Sequence, residues 1–170
     1  MQQFVPEPRT EDFSIPGATI QVFSFEQEIN APLNFVFDVL SDLPARLKWM
    51  EGAQKVEMFN HNFNRLGTKH RCIVDKNSPV MVTSNNTQSA DTITFTETDS
   101  KKTMCSVYTL KELNKGQTHM RVDGFLKNAI VLKILFTLLL KKKVSNLFQS
   151  SSKNLKHYCE ELYKKQQINL

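Results

Sequence analysis

The sequence predicts an α+β domain with an antiparallel sheet of about seven strands, two short helices after the first strand and one long C-terminal helix. Three observations predict this class. Residues 19–30 alternate between apolar and polar side chains, and a proline-initiated helical pattern follows them. Residues 53–127 consist almost entirely of strand patterns separated by turn residues. Residues 144–162 place apolar side chains at steps of three and four, as an amphipathic helix does.

The first strand is predicted from its alternation. Phe23 and Phe25 fall on one face, opposite Glu26 and Glu28 on the other. Successive side chains of a strand point to opposite faces of its sheet, so this strand has one buried face and one face in water.

Two short helices are predicted next. Pro32 supplies the fixed φ of a first helical turn, and apolar residues follow at helical spacing up to Leu40. Pro44 then interrupts the pattern, because proline cannot continue a helix interior. Residues 45–49 form a second short helical piece.

The central region is predicted to be an antiparallel meander, because short links between consecutive strands favour that pairing. Residues 92–96 alternate threonine with Ile93 and Phe95, as expected of a curved sheet that covers something on one side only. The six strand candidates are residues 54–60, 68–76, 80–89, 92–97, 103–113 and 118–126.

Length and charge restrict the class of protein further. A chain of 170 residues suits one domain, which we place at residues 19–170 after an extended or partly disordered leader, residues 1–18. The net charge of +5 is unevenly distributed. Residues 127–170 hold nine lysines and two acidic residues, a net charge of +7, and the rest of the chain carries −2. Any electrostatic partner is therefore expected to meet the C-terminal quarter.

Several classes are excluded by the same inspection. Three cysteines without a CxxC pair predict neither a disulfide framework nor a structural zinc site, and they favour a reducing compartment. No secretory signal pattern or glycine-rich phosphate loop is present. The basic helix lacks interleaved arginines and exposed aromatics, so we do not expect nucleic-acid binding. We expect a cytoplasmic protein without cofactor or metal and leave its oligomeric state open.

The resemblance to a known family rests on particular residues. Residues 25–42, FEQEINAPLNFVFDVLSD, resemble the opening strand, I-x-A-P corner and first helix of the START-like (SRPBCC) superfamily. Trp49 is placed like that family's tryptophan after the second helix, and residues 67–68 resemble the G-T that begins a strand. Residues 155–161 are similar to the end of its long helix. The resemblance covers roughly residues 20–165 and implies a helix-grip fold, in which a bent sheet wraps the long helix.

That resemblance also implies a cavity between sheet and helix, in which family members hold lipids, sterols, polyketides or other apolar molecules. The strand phases would turn Phe25, His70, Cys72, Val74, Val82, Phe95, Tyr108, Met120 and Val122 inward. We add Trp49 and, from the helix start beside the expected cavity mouth, Phe136, Leu140 and Val144. The alternative is that these side chains simply fill a core. A one-residue error in phase would replace the residues of a whole strand.

An enzymatic function has one candidate pair of groups. His70 could abstract a proton and Tyr108 could polarise a carbonyl group, as a polyketide cyclase or dehydratase requires. Such a site needs several converging polar groups, and the sequence offers only this pair on the inward face. His70 and Cys72 share a strand face but lack a third metal ligand. Enzymatic activity is thus uncertain, and the sequence favours a protein without it.

A second candidate site precedes the long helix. Residues 129–140 are apolar nearly all round apart from Lys133, and Lys141, Lys142 and Lys143 follow. Such a segment could dock on an anionic membrane or on a protein partner. Alternatively, it is covered by the two short helices and its lysines are simply solvated. Overall we predict binding or transport of a hydrophobic small molecule or lipid without catalysis, with a polyketide cyclase or dehydratase as the alternative.

Overall fold

The structure, a computed structural model, describes residues 15–17 and 19–168. The predicted order of elements is confirmed. Of the leader predicted at residues 1–18, only residues 15–17 fall within the described part. The strands are β1 (Thr19–Ile29), β2 (Lys55–Met58), β3 (Lys69–Ile73), β4 (Met81–Gln88), β5 (Thr92–Asp99), β6 (Met104–Asn114) and β7 (Gln117–Lys127). The helices are α1 (Leu33–Ser41), α2 (Arg46–Trp49), α3 (Ile130–Leu135), a π-helical turn (Phe136–Leu140) and α4 (Lys141–Ile168).

The seven strands form one antiparallel sheet in the order β1-β7-β6-β5-β4-β3-β2. Strands β2 to β7 pair with their sequence neighbours, as the meander prediction requires, whereas β1 pairs with the last strand. Register shifts interrupt the β1–β7, β4–β5 and β6–β7 ladders. Because an extra residue in one strand bends the sheet and increases its twist, these irregularities curve it around the helical layer.

A close approach between β1 and β7 supports the helix. Gly124 of β7 pairs with Phe23 of β1, and the Phe23 ring occupies the space where a Cβ atom on residue 124 would stand. Phe148 of α4 packs on the opposite side of Phe23, with ring centroids 4.6 Å apart. Because Gly124 has no side chain, the Phe23 ring can lie close to the sheet, where it packs against Phe148 of α4.

The C-terminal half of α4 is tied to the corner between β1 and α1. Glu160 accepts a hydrogen bond from the backbone amide of Asn30 at 2.8 Å. The Nζ atom of Lys156 donates to the carbonyl oxygen of Glu28 at 2.8 Å. These contacts fix the far end of the helix, while Leu155 and Cys159 are buried against the sheet.

One hydrophobic core lies between the sheet and the helices. It joins buried side chains of β1, α1, α2, the central strands and α4 into a single cluster, which includes Ile29, Val36, Phe95, Leu110 and Leu155. Among the described residues, no helix combines the length and apolar character that crossing a bilayer demands.

Candidate functional site

A small cavity lies between the sheet and α4. Its volume is about 30 Å³, which is room for about one water molecule. Most of its lining is apolar, and polar side chains enter it from α2 and α4. The lining residues are Leu40, Arg46, Trp49, Met50, Tyr108, Met120, Val122, Leu147, Phe148, Ser151, Ser152 and Leu155.

A buried ion pair borders this cavity. Arg46 at the start of α2 and Glu97 in β5 are each 3% exposed. Nη2 of Arg46 donates to Oε1 of Glu97 at 2.5 Å, and Nη1 donates to Oε2 at 3.2 Å. Two such parallel bonds between a guanidinium and a carboxylate give a strong and geometrically specific pair. The pair therefore holds a short helix firmly against the middle of the sheet.

The two charges of this pair stabilise each other. Burial opposes the ionisation of Glu97, but the adjacent guanidinium outweighs that effect and keeps the pKa of Glu97 below its ordinary value. Burial likewise opposes the charge on Arg46, and Glu97 more than compensates, so the pKa of Arg46 is raised. Both groups are consequently charged at neutral pH, although neither is exposed to water.

His70 of β3 is a neutral member of the same cluster. Its Nε2 lies 2.9 Å from Nη1 of Arg46. Because a guanidinium can only donate, Nε2 accepts this bond and the proton of the imidazole is on Nδ1. Burial and then the charge of Arg46 lower the pKa of His70 to about 4. The 3.7 Å separation of His70 Nε2 from Glu97 Oε1 is therefore not a salt bridge at neutral pH.

Asn64 also binds the carboxylate of Glu97 and is itself bound by Thr83. Nδ2 of Asn64 donates to Oε1 of Glu97 at 3.2 Å, and the Thr83 hydroxyl donates to Oδ1 of Asn64. Both residues are buried. In the ranges that the structure describes, no three His, Cys, Asp or Glu side chains are grouped as metal ligands.

The cluster contains more hydrogen-bond donors than it uses. Nε of Arg46, Nε1 of Trp49 and Nδ1 of His70 are buried and have no hydrogen-bond partner among the described residues. All three atoms carry a hydrogen, and Arg46 and Trp49 line the cavity. A buried N–H group without an acceptor costs free energy. Two residues of the cavity lining, Arg46 and Trp49, therefore each hold an N–H group that an oxygen acceptor would satisfy.

The structure brings some of the sequence-predicted ligand residues to this cavity. Trp49, Tyr108, Met120 and Val122 line it. Burial raises the pKa of Tyr108, whose ring stacks on Phe95 with centroids 4.5 Å apart. This tyrosine is therefore a neutral phenol within the lining.

Other predicted residues lie outside that lining. His70 is in contact with Arg46, and Cys72 Sγ lies 4.0 Å from the same guanidinium. Five more belong to the core or pack against it, and one is exposed. The core residues are Val82, Phe95 and Phe136, those packing against the core are Phe25 and Val144, and Leu140 is exposed.

Arg46 and Glu97 were missed by the sequence predictions. Glu97 shares the parity of Ile93 and Phe95 in β5, which the alternation places on the apolar face. A carboxylate in that phase requires a buried partner, so this signal was available. Arg46 offers no comparable signal, because its contacts lie 24 and 51 residues away in the sequence.

The segment before α4 is exposed rather than covered by the two short helices. Seven apolar side chains of α3 and the π-helical turn are 46–79% exposed, and within that segment only Phe136 is buried. We call six of them, all except Leu140, the apolar strip; they are Ile130, Val131, Ile134, Leu135, Leu138 and Leu139. Lys143 forms an ion pair with Asp75, whereas Lys141 and Lys142 are exposed.

Comparison with known proteins identifies the fold. No family model matches the sequence, and no curated protein shows a significant sequence match. A crystal structure of a hypothetical protein from Helicobacter pylori has a TM-score of 0.64 at 12% identity, covering 94% of this chain and 99% of that one. The KanY solution structure has a TM-score of 0.66 at 16% identity and covers 85% of this chain and 99% of its own.

A third similar structure is that of Ara h 8.0201, which has the birch-pollen-allergen fold. Its TM-score is 0.56 at 15% identity, covering 84% of this chain and 98% of that chain. At these identities a likeness demonstrates the fold alone. The chain has the helix-grip fold, and the resemblance to the START-like superfamily is confirmed at that level.

Proposed function

We propose that this helix-grip protein binds or transports a hydrophobic small molecule or lipid between the sheet and α4, without catalysing a reaction. One observation carries the proposal. The cavity there has an apolar lining, and two of its residues, Arg46 and Trp49, hold buried N–H groups without acceptors. Binding pockets for apolar ligands commonly combine such a lining with a few polar groups that orient the ligand.

The unpaired N–H groups indicate how the proposed ligand would be oriented in the cavity. A buried donor without a partner costs about 1–3 kcal/mol, which a carbonyl, hydroxyl or carboxylate oxygen would recover. The ligand would therefore direct an oxygen towards Arg46 and Trp49. Its apolar part would lie along apolar residues of the lining such as Met120, Val122 and Leu155.

On this proposal, the small volume of the cavity means that the structure is a closed form. Ligand pockets usually measure about 300–1,000 Å³, against about 30 Å³ here. Binding thus requires the N-terminal half of α4 to move outward. Glu160 and Lys156 tie the other half to the β1–α1 corner. The movement would break the packing of Phe148 on Phe23 and the hydrogen bond from the Glu51 amide to Ser151. By contrast, the segment preceding α4 contributes only one buried side chain, Phe136.

Binding without catalysis is favoured over the polyketide cyclase or dehydratase alternative. His70 is absent from the cavity lining, and its Nε2 already accepts a hydrogen bond from Arg46. Burial raises the pKa of Tyr108, so its phenol stays protonated and could donate to a carbonyl group, but it could not act as the base. A general base needs a free nitrogen or oxygen within hydrogen-bond reach of the substrate.

We propose the cytoplasm as the compartment of this protein. Cys72, Cys105 and Cys159 are all unpaired, and burial raises the pKa of the Cys159 thiol to about 12. Thiols that persist unpaired are typical of a reducing environment.

The proposal is tested by identifying what the protein carries. The protein is purified from its own host, examined by native mass spectrometry and then extracted with organic solvent. We expect one class of apolar, oxygen-bearing molecule. Ser152→Leu places a bulky side chain in the cavity lining, whereas Ser150→Leu makes the same change outside it. Ligand recovery is expected to fall about tenfold only for Ser152→Leu, since filled volume excludes ligand.

Trp49→Phe tests the polar end, because it removes the N–H group and keeps an aromatic ring. Loss of one hydrogen bond is expected to weaken binding by about tenfold, or roughly 1.4 kcal/mol. Thermal unfolding of each variant establishes that it is folded. Absence of any specific ligand from the wild type, or equal recovery from Ser152→Leu, would contradict the proposal.

A further inference from the structure

The apolar strip is one continuous surface of a single helical segment. Its residues occupy positions i, i+1, i+4, i+5, i+8 and i+9 from Ile130, a spacing that keeps them on one side of a helix. Phe136 projects from the other side and is 5% exposed. A helix on the surface of a soluble protein normally turns polar residues outward, and this segment instead turns leucines and isoleucines outward.

Lysines surround this apolar strip without acidic residues between them. Residues 127–143 contain five lysines and no aspartate or glutamate. Lys143 pairs with Asp75 of the body. Within the described ranges, no acidic side chain is paired with Lys133, Lys141 or Lys142. The charge on these three side chains is therefore uncompensated by the protein.

Shape and charge together point to one kind of partner. The segment of 11 residues is about 16 Å long, too short to cross a bilayer but long enough to lie in its interface. Helices that do so bury an apolar face among acyl chains and place lysines among anionic headgroups. A second copy of the chain is less suited, because pairing two apolar strips would bring ten uncompensated or weakly compensated lysines together.

We propose that α3 and the π-helical turn form a peripheral docking element for anionic membranes. The apolar strip enters the boundary between headgroups and acyl chains, and Lys133, Lys141 and Lys142 contact the headgroups. This inference goes beyond ligand binding and does not depend on it, since the docking surface lies outside the sheet–helix cavity. It also places the membrane beside the start of α4, where Leu147 and Phe148 line that cavity.

Co-sedimentation of the full-length protein with vesicles tests this proposal. One set of vesicles contains phosphatidylcholine alone, and a second contains added phosphatidylserine. We expect binding to the second set that weakens with salt. Leu138→Asp is expected to reduce partitioning at least tenfold, since its side chain is 76% exposed and the change leaves the core intact. Leu113→Asp is the matched control, an equally apolar exposed residue at the opposite end of the β6–β7 hairpin.

The lysines are tested separately. Lys141→Ala with Lys142→Ala is expected to lower partitioning about fivefold for each lysine removed. Lys164→Ala with Lys165→Ala makes the same change at the far end of α4 and should have little effect. Circular dichroism and thermal unfolding would establish that all variants are folded.

Three results would overturn the proposal. They are failure of the wild type to bind anionic vesicles, equal loss in Leu113→Asp and Leu138→Asp, and indifference to lipid charge. Self-association that Leu138→Asp abolishes, without vesicle binding by the wild type, would assign the apolar strip to a second copy. A failure of membrane docking can be distinguished from a failure of ligand binding, because ligand recovery by mass spectrometry requires no vesicle.

Discussion

Glu97→Gln is the sharpest test of the buried cluster, because it removes a charge and changes almost nothing else. The glutamine side chain has the same shape as glutamate and can keep one oxygen in the position of Oε1. Its Nε2 group would replace Oε2, which accepts a hydrogen bond from Nη1 of Arg46 at 3.2 Å. Two donors would then face each other, and the guanidinium would remain buried without a counter-charge.

The expected loss follows from these contacts. Bonds from Nη2 of Arg46 and Nδ2 of Asn64 to the retained oxygen can persist. One charge-assisted hydrogen bond, worth roughly 1.5–3 kcal/mol, is lost. Removing one member of a buried ion pair costs about 3–5 kcal/mol in total, since the remaining charge is uncompensated. We therefore expect the free energy of unfolding to fall by about 3–5 kcal/mol.

Urea denaturation, followed by fluorescence and circular dichroism together, measures this change. The control is Glu57→Gln at the partly exposed Arg71–Glu57 pair on the surface, which has the same two residue types and a bond of 2.5 Å. Its effect should be much smaller, because solvent screens an exposed pair. The double variant Arg46→Leu, Glu97→Leu removes both charges and should recover about half or more of the lost stability.

A change below about 1 kcal/mol for Glu97→Gln would refute this reasoning, because a typical exposed pair contributes that little. It would mean that water reaches Arg46 freely. The polar end assigned to the cavity would then not be desolvated, and its unpaired donors would carry no cost for a ligand to relieve.

Three further predictions concern other parts of the fold. His70 has its pKa lowered to about 4, so the unfolded chain binds a proton that the native chain does not as the pH falls from about 6.5 to 4. The contribution of neutral His70 to the free energy of unfolding is complete above about pH 6.5 and falls by about 3 kcal/mol as the pH drops to about 4. In His70→Gln, the free energy of unfolding measured by urea titration should depend less on pH across this range. Gly124→Ala would force the new Cβ atom into the Phe23 ring, and we expect the free energy of unfolding to fall by about 1–3 kcal/mol. In a double-mutant cycle, Phe23→Leu should recover part of this loss, because the smaller side chain makes room for the Cβ atom. Phe136→Ala removes the buried anchor of residues 130–140 and should raise amide exchange there about tenfold or more, while exchange in β6 is unchanged.

The fold could be predicted from local patterns, since each element carries its own signal. Alternation in β5, with Ile93 and Phe95 buried, and the proline before α1 both act over a few residues. The pairing of β1 with β7 does not follow from such patterns. It joins Thr19 to Lys127, at opposite ends of the strand-forming part of the sequence, and no local pattern specifies such a long-range contact.

The candidate site was less predictable, because its chemistry depends on long-range contacts. The inward phases of Tyr108, Met120 and Val122 were visible as alternation, and these residues do line the cavity. Arg46 lies in a four-residue helix whose pattern indicates neither burial nor partner. The exposure of residues 130–140 also depends on what packs against them, which composition does not specify.

The order of strands in the sheet has a consequence for the route by which the chain folds. Strands β2 to β7 form neighbouring hairpins, which close quickly because little chain must be ordered for each contact. Strand β1 cannot pair until β7 has formed, and α2 is connected to β1 through α1. We therefore expect Glu97 and His70 to come together within the hairpins before Arg46 docks. Mutational φ-values near one in the β5–β6 hairpin and near zero at Arg46 would be the kinetic signature of this late docking.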